Sequence, residues 1–141
     1  MRFLLDTNII SNITKPSPSP SLLAWVAEQR DDDLYISSLT VAEIRCAILQ
    51  RPASKQRDEL EDWFVGPGGP QTLFAGRILP FDEAAALIWA RFIAERKSTD
   101  RRGSALDTII ASVAEANGCV VVTDQEKNFA HVEVINPLRK G

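Results

Sequence analysis

The chain has 141 residues, enough for one domain that buries roughly two-thirds of its unfolded surface, and too few for a second. With 45% apolar and 25% charged residues it is neither disordered nor fibrous in composition. A formal net charge of −3 excludes the global basicity that binds nucleic acid by phosphate neutralisation alone, so any polyanion must be drawn in locally or by a bound cation. Cys46 and Cys119 are too few and too far apart for a disulfide framework or a zinc site, and read as small core residues in a reducing compartment. Asp6 interrupts the first apolar run, so no secretory segment is expected there, and no apolar stretch approaches the ~18 residues of a membrane span. A cytoplasmic protein is the expectation.

In chain order, residues 2–5 (RFLL) predict a short buried strand, and TNIISNI after Asp6 carries Ile9, Ile10 and Ile13 at helical spacing. KPSPSPS, residues 15–21, is an extended connection, because each Pro stops a helix and restrains its predecessor. Helix resumes over 21–29, the run DDD (31–33) breaks it, and LYIS (34–37) predicts a second strand. Further helices are predicted over 38–51, closed by Pro52, over about 54–65, ended by GPGGP, over 82–97, and over 104–118 with Gly118 at its stop. CVVVT (119–123) is a continuous β-branched run, as in a central parallel strand buried on both faces, and VEVI is a weaker last strand. Short apolar strands interleaved with helices predict a single α/β domain over 1–141 with a mostly parallel sheet.

That architecture gathers four acids. In an open parallel sheet the strand C-termini share one edge, where the N-termini of the crossover helices also lie and where ligands usually bind. Asp6 directly follows the first strand and Asp124 directly follows CVVVT, while Glu43 and Asp107 fall in the first turns of the helices over 38–51 and 104–118. Each alone reads as a helix cap: Thr40 and Glu43 fit a capping box, Ser104 and Asp107 a looser one, and Asp6 and Asp124 fit N-caps. Together, four ionised carboxylates repel unless a cation neutralises them or some take up protons. With no histidine or cysteine placed for zinc, a hard ion with oxygen ligands, Mg²⁺ or Mn²⁺, fits best. Such an ion holds a phosphate oxygen and activates a water for attack on phosphorus.

LLDTNIIS, SSLTVAEIRCAI, ALDTIIASVAEANGCVVVT and the following DQEKNF resemble, in order and spacing, the PIN-domain ribonucleases, and most closely the VapC (FitB-like) toxins of bacterial toxin–antitoxin pairs. The resemblance runs nearly the full length of the chain. It implies a three-layer α/β/α sandwich around a short parallel sheet and metal-dependent endonucleolytic cleavage of RNA, tRNA among the usual substrates. Asp6, Glu43 and Asp107 would be the main acidic metal-site residues, with Thr7 and Asn8 tuning the site. It also implies homodimerisation and a cognate VapB/FitA-like antitoxin that carries DNA binding and whose tail enters the active-site groove. The pattern departs from the family at the fourth acid: Gln125 stands two after Thr123 and Asn128 stands before Phe129, leaving Asp124 as the substitute ligand, with Glu126 behind it.

Other features read more blandly. His131, the only histidine, sits near the last strand, where a surface position is favoured over general-base duty. Trp25, Trp63, Phe64, Trp89 and Phe92 have the helical spacing of packing residues rather than of base-stacking ones. Arg96, Lys97, Arg101 and Arg102 form the densest basic cluster, either a solvated helix end or a phosphate contact. The competing functions are a receiver-like signalling domain, which also gathers acids around Mg²⁺, and a PIN-like binding module that has lost turnover.

Overall fold

The structure, a computed structural model, describes residues 1–96 and 104–138. Its centre is a five-stranded sheet built from β1 (Arg2–Leu5), β2 (Leu34–Ser37), β3 (Ile78–Leu79), β4 (Cys119–Val122) and β5 (Val134–Ile135). The spatial order is β3-β2-β1-β4-β5, with every pairing parallel. β1 and β4 pair over four residues, from Arg2 opposite Cys119 to Leu5 opposite Val122. Two-residue alternation splits these strands between two cores. Phe3, Leu5, Val120 and Val122 face one cluster and Leu4 and Val121 the other.

The helices divide the same way. α1 (Thr7–Thr14), α2 (Pro20–Ala27), α3 (Ser38–Leu49) and α4 (Lys55–Val65) supply Ile9, Leu22, Ile44 and Phe64 to the first cluster, and Phe74, the C-cap of the single turn α5 (Pro70–Leu73), joins them. α6 (Glu83–Glu95) and α7 (Ala105–Ala116) supply Ala85, Phe92, Ile110 and Val113 to the second. The result is the expected α/β/α sandwich. Trp25 meets Phe3 edge-to-face at 5.0 Å and Phe64 is buried, so these aromatics pack the core. Gly118 takes φ +64°, the left-handed conformation that ends α7 at little cost for a residue without Cβ. Among the described residues no helix is long and apolar enough to cross a membrane.

The predicted helix ends hold to within about two residues, and DDD forms one 3-10 turn leading into β2. Three short elements have no sequence expectation behind them: α5, β3 and a 3-10 turn over Glu126–Asn128. β3 is a two-residue edge strand, too short for a periodic pattern. Arg77 holds that edge down. Its guanidinium donates to the carbonyls of Asp31 and Leu73 at 2.6 Å each and to that of Leu34, and its own carbonyl accepts from the Ile36 N–H at 3.1 Å. A lysine cannot reproduce that fork. Arg77→Lys is therefore expected to lower unfolding free energy by roughly 1–2 kcal/mol, read as a lower urea midpoint with an unchanged m-value.

Candidate active site

β1 ends at Leu5 and hands Asp6 to the sheet edge, where the Asp6 backbone N–H donates to the Val122 carbonyl at 2.9 Å. Asp6 is also the N-cap of α1 and is buried at 5% exposure. Its Oδ1 accepts from the Thr7 N–H at 2.8 Å. Its Oδ2 accepts from the Thr123 hydroxyl at 2.9 Å and the Asn8 amide at 3.1 Å. These bonds favour the ionised carboxylate, yet burial outweighs them and, with the like charges of Asp107 and Glu43, pushes its pKa up from 3.8 to about 6.

Glu43 enters from α3. β2 runs into α3 without a loop, so the N-cap is Ser37, whose hydroxyl accepts from the Thr40 N–H at 3.1 Å. The expected Thr40–Glu43 capping box is thereby replaced, and Glu43 sits in the second turn rather than the first. Its carboxylate is turned to a different partner, the Thr7 hydroxyl, which donates to Oε1 at 2.7 Å and lies 3.3 Å from the buried Thr40 hydroxyl. Asp107 keeps its predicted capping box: Ser104 N–H donates to its Oδ2 at 3.0 Å and its own N–H donates to the Ser104 hydroxyl at 3.1 Å.

Asp6, Glu43 and Asp107 line one open groove of about 500 Å³, together with Thr7, Asn8, Ser11, Asn12, Lys15 and Gln125. Asp124 does not join them. Its side chain is exposed and lines a neighbouring depression that shares Gln125 with the groove, and its backbone N–H lies 3.3 Å from Asn8 Oδ1. Glu126 accepts from the Asn136 amide at 3.0 Å in that same depression. Gln125 takes the place in the groove, with its Oε1 held by the Asn128 amide at 2.8 Å. His131 stacks on Phe92 at 4.7 Å and is not among the groove residues. Of the basic cluster, Arg96 caps α6, and Lys97, Arg101 and Arg102 lie outside the described residues.

Thr123, Lys15, Ser11 and Asn12 are the site residues that sequence reasoning passed over. Thr123 was legible in principle, because the β1–β4 register that sets Leu5 against Val122 sets Asp6 against Thr123. Lys15 was hidden in a stretch read only as a connection.

Chemically the donors are all oxygens, which suits a hard divalent ion. Among the described residues no three His, Cys, Asp or Glu side chains stand close enough to enclose a metal on their own. Mg²⁺ tolerates such a setting, since it retains several waters and takes one or two carboxylates directly. The buried Asp6 carboxylate, with two like charges near it, is the group with most to gain from a cation.

The description PIN domain matches residues 3–135. The chain is 37% identical over 136 residues to the VapC ribonuclease Y4jK of Sinorhizobium fredii and likewise 37% identical over 136 residues to the Toxin FitB of Neisseria gonorrhoeae. Each alignment covers 95% of this chain and 96% of the relative. The crystal structure of FitAcB from Neisseria gonorrhoeae superposes with a TM-score of 0.86 at 36% identity, covering 96% of this chain and 97% of that one. Matches of that extent remove the receiver-like alternative. A parallel sheet that delivers Asp6, Glu43 and Asp107 to one groove, under a family match spanning nearly the whole chain, makes this protein a member of the PIN domain family.

Proposed function

We propose that the chain is an endoribonuclease, dependent on Mg²⁺ or Mn²⁺, that serves as the toxin of a toxin–antitoxin pair and is restrained by a FitA/VapB-like antitoxin. The observation that carries the reading is the buried Asp6 carboxylate, held by Thr7, Thr123 and Asn8 in a groove that Glu43 and Asp107 also line. Relatives named as a ribonuclease and as a toxin, aligned over almost the whole chain, support substrate and role.

In this reading Asp6 is the principal ligand, with Glu43 and Asp107 completing the site directly or through water. The ion, when bound, supplies phosphate neutralisation and a water of lowered pKa. The chain's own residues do the positioning. Three hydrogen bonds leave the Asp6 carboxylate little freedom to turn, and the Thr7 hydroxyl aims Glu43. The Ser104 bonds pin one oxygen of Asp107 and so set the direction of the other. A 500 Å³ groove open to solvent admits a strand of nucleic acid without a lid.

Purified protein should cleave single-stranded RNA in Mn²⁺ and stop on chelation, and Asp6→Asn and Asp107→Asn should each lose at least about 100-fold in kcat. Cleavage that survives the chelator, or full activity in both variants, overturns the nuclease reading; metal-independent RNA binding without cleavage would leave the binding module.

The raised Asp6 pKa has a stability consequence with a definite sign. Folding favours the protonated carboxyl, so its contribution is complete below pH 4 and is lost as pH rises through about 6. Without metal, the fold at pH 7.5 should therefore stand roughly 3 kcal/mol below its protonated counterpart, on this group's account. Urea midpoints in chelator should fall between pH 5 and pH 7.5, and Asp6→Asn should flatten that fall. Mn²⁺ should raise Tm at pH 7.5 in the native chain and not in Asp6→Asn. Thr7→Val, which releases Glu43, should weaken Mn²⁺ binding by about ten-fold, measured by competition with a metallochromic chelator.

A further inference from the structure

The groove has three acids and one cation, Lys15, among its described lining residues. Lys15 is the C-cap of α1, whose N-cap is Asp6, and Pro16 follows it, so the chain there is locally stiff. The eight residues of α1 put the two caps on the order of 12 Å apart along the helix axis, a gap the lysine's four-carbon stem partly spans. Lys15 is exposed and, among the described residues, enters no ion pair. It also lines a second groove of about 360 Å³ that continues from the first past Thr7, Ser11 and Glu43 and whose other cation is Arg51, just beyond the end of α3.

A lysine at a helix C-terminus is favoured by the dipole whatever it faces. The dipole does not account for two unlinked elements each ending in a cation on the rim of the same pair of connected grooves. A bound strand that places one phosphate at the carboxylate centre must run its neighbouring phosphates away from three acids, and in the second groove, where Glu43 is the one acid, Lys15 and Arg51 are the groups that attract them.

Resting on the nuclease reading above, we propose that Lys15 binds a phosphate flanking the scissile one and that Arg51 takes the next contact on the same side, so that strand register is set by this cationic rim. Both are positioning residues: neither reaches the reacting atoms. Their work is to hold substrate equally in ground and transition states, so their loss should raise KM and leave kcat nearly as it was.

The test measures binding apart from turnover. A fluorescent single-stranded RNA is titrated by anisotropy against the native chain in Ca²⁺, and against Lys15→Gln, Lys15→Arg, Arg51→Gln and, as a control at the opposite edge of the sheet, Arg30→Gln, across a salt series. Cleavage in Mn²⁺ is then followed for the same proteins, and Mn²⁺ affinity and Tm are recorded for each. Lys15→Gln is expected to weaken RNA binding and raise KM by about five-fold each, with kcat within two-fold. Its log–log salt slope should be shallower by about 0.7, the value of one contact to a single strand. Lys15→Arg should restore affinity and slope, Arg51→Gln should act in the same direction, and Mn²⁺ affinity should not move, nor should RNA binding in Arg30→Gln. The proposal is overturned if Lys15→Gln lowers Tm with RNA affinity unchanged, which is the dipole alone, or if it weakens only the grip of a protein inhibitor. RNA binding that depends on Lys15 in a chain that never cleaves would retain this inference and sink the nuclease reading, whereas cleavage with unaltered binding in Lys15→Gln would do the reverse.

Discussion

The structure turns on keeping one carboxylate, Asp6, nearly out of water at the end of its central strand. Desolvation disfavours the charge, and two further carboxylates share the groove, so three donors are spent on a single side chain. Each donor also ties Asp6 to a different part of the fold. Thr7 opens α1 and holds Glu43 on α3; Thr123 ends β4; Asn8 reaches the backbone of Asp124. Shifting β1 against β4 by one residue would swap the two cores and take Thr123 away from Asp6 at once, so packing and site specify the same register.

Helix direction organises the charge around that centre. α1 carries its acid at the N-terminus and Lys15 at the C-terminus, and α3 has Glu43 in its N-terminal half and Arg51 just beyond its end. Both placements are favourable to the helix macrodipole, so the separation of an acidic centre from a cationic rim adds little strain to the fold. An acidic chain can in this way present local positive charge to a polyanion while its net charge stays at −3.

What the sequence made legible follows from pattern length. CVVVT and the helices over 82–97 and 104–118 are long or uniform enough for their period to decide, and the edge at which Asp6, Glu43 and Asp107 meet follows from chain order in a parallel sheet. β3 and α5 escaped because two and four residues carry no period, and β3 is held by Arg77 as well as by the packing of Ile78 and Leu79. The Thr40 cap was misread because no loop residue separates β2 from α3, which moves the cap three residues back to Ser37 and frees Glu43 to face Thr7. Lys15 escaped because Pro and Ser on its C-terminal side marked the stretch as a connection, and a connection's first residue is also the last residue of the helix it leaves.

The fate of Asp124 comes from the turn that ends β4. The Thr123 hydroxyl donates to Asp6 and accepts from the Gln125 N–H at 3.0 Å, which bends the chain at Asp124 and leaves that side chain in solvent. Thr123 thus fills the place beside Asp6, and Gln125, itself exposed, lines both the groove and the neighbouring depression. Position 125 in this chain holds a neutral amide whose oxygen is already occupied by Asn128. Three acids and Lys15 then give the groove lining a formal charge of −2, equal and opposite to that of one divalent ion.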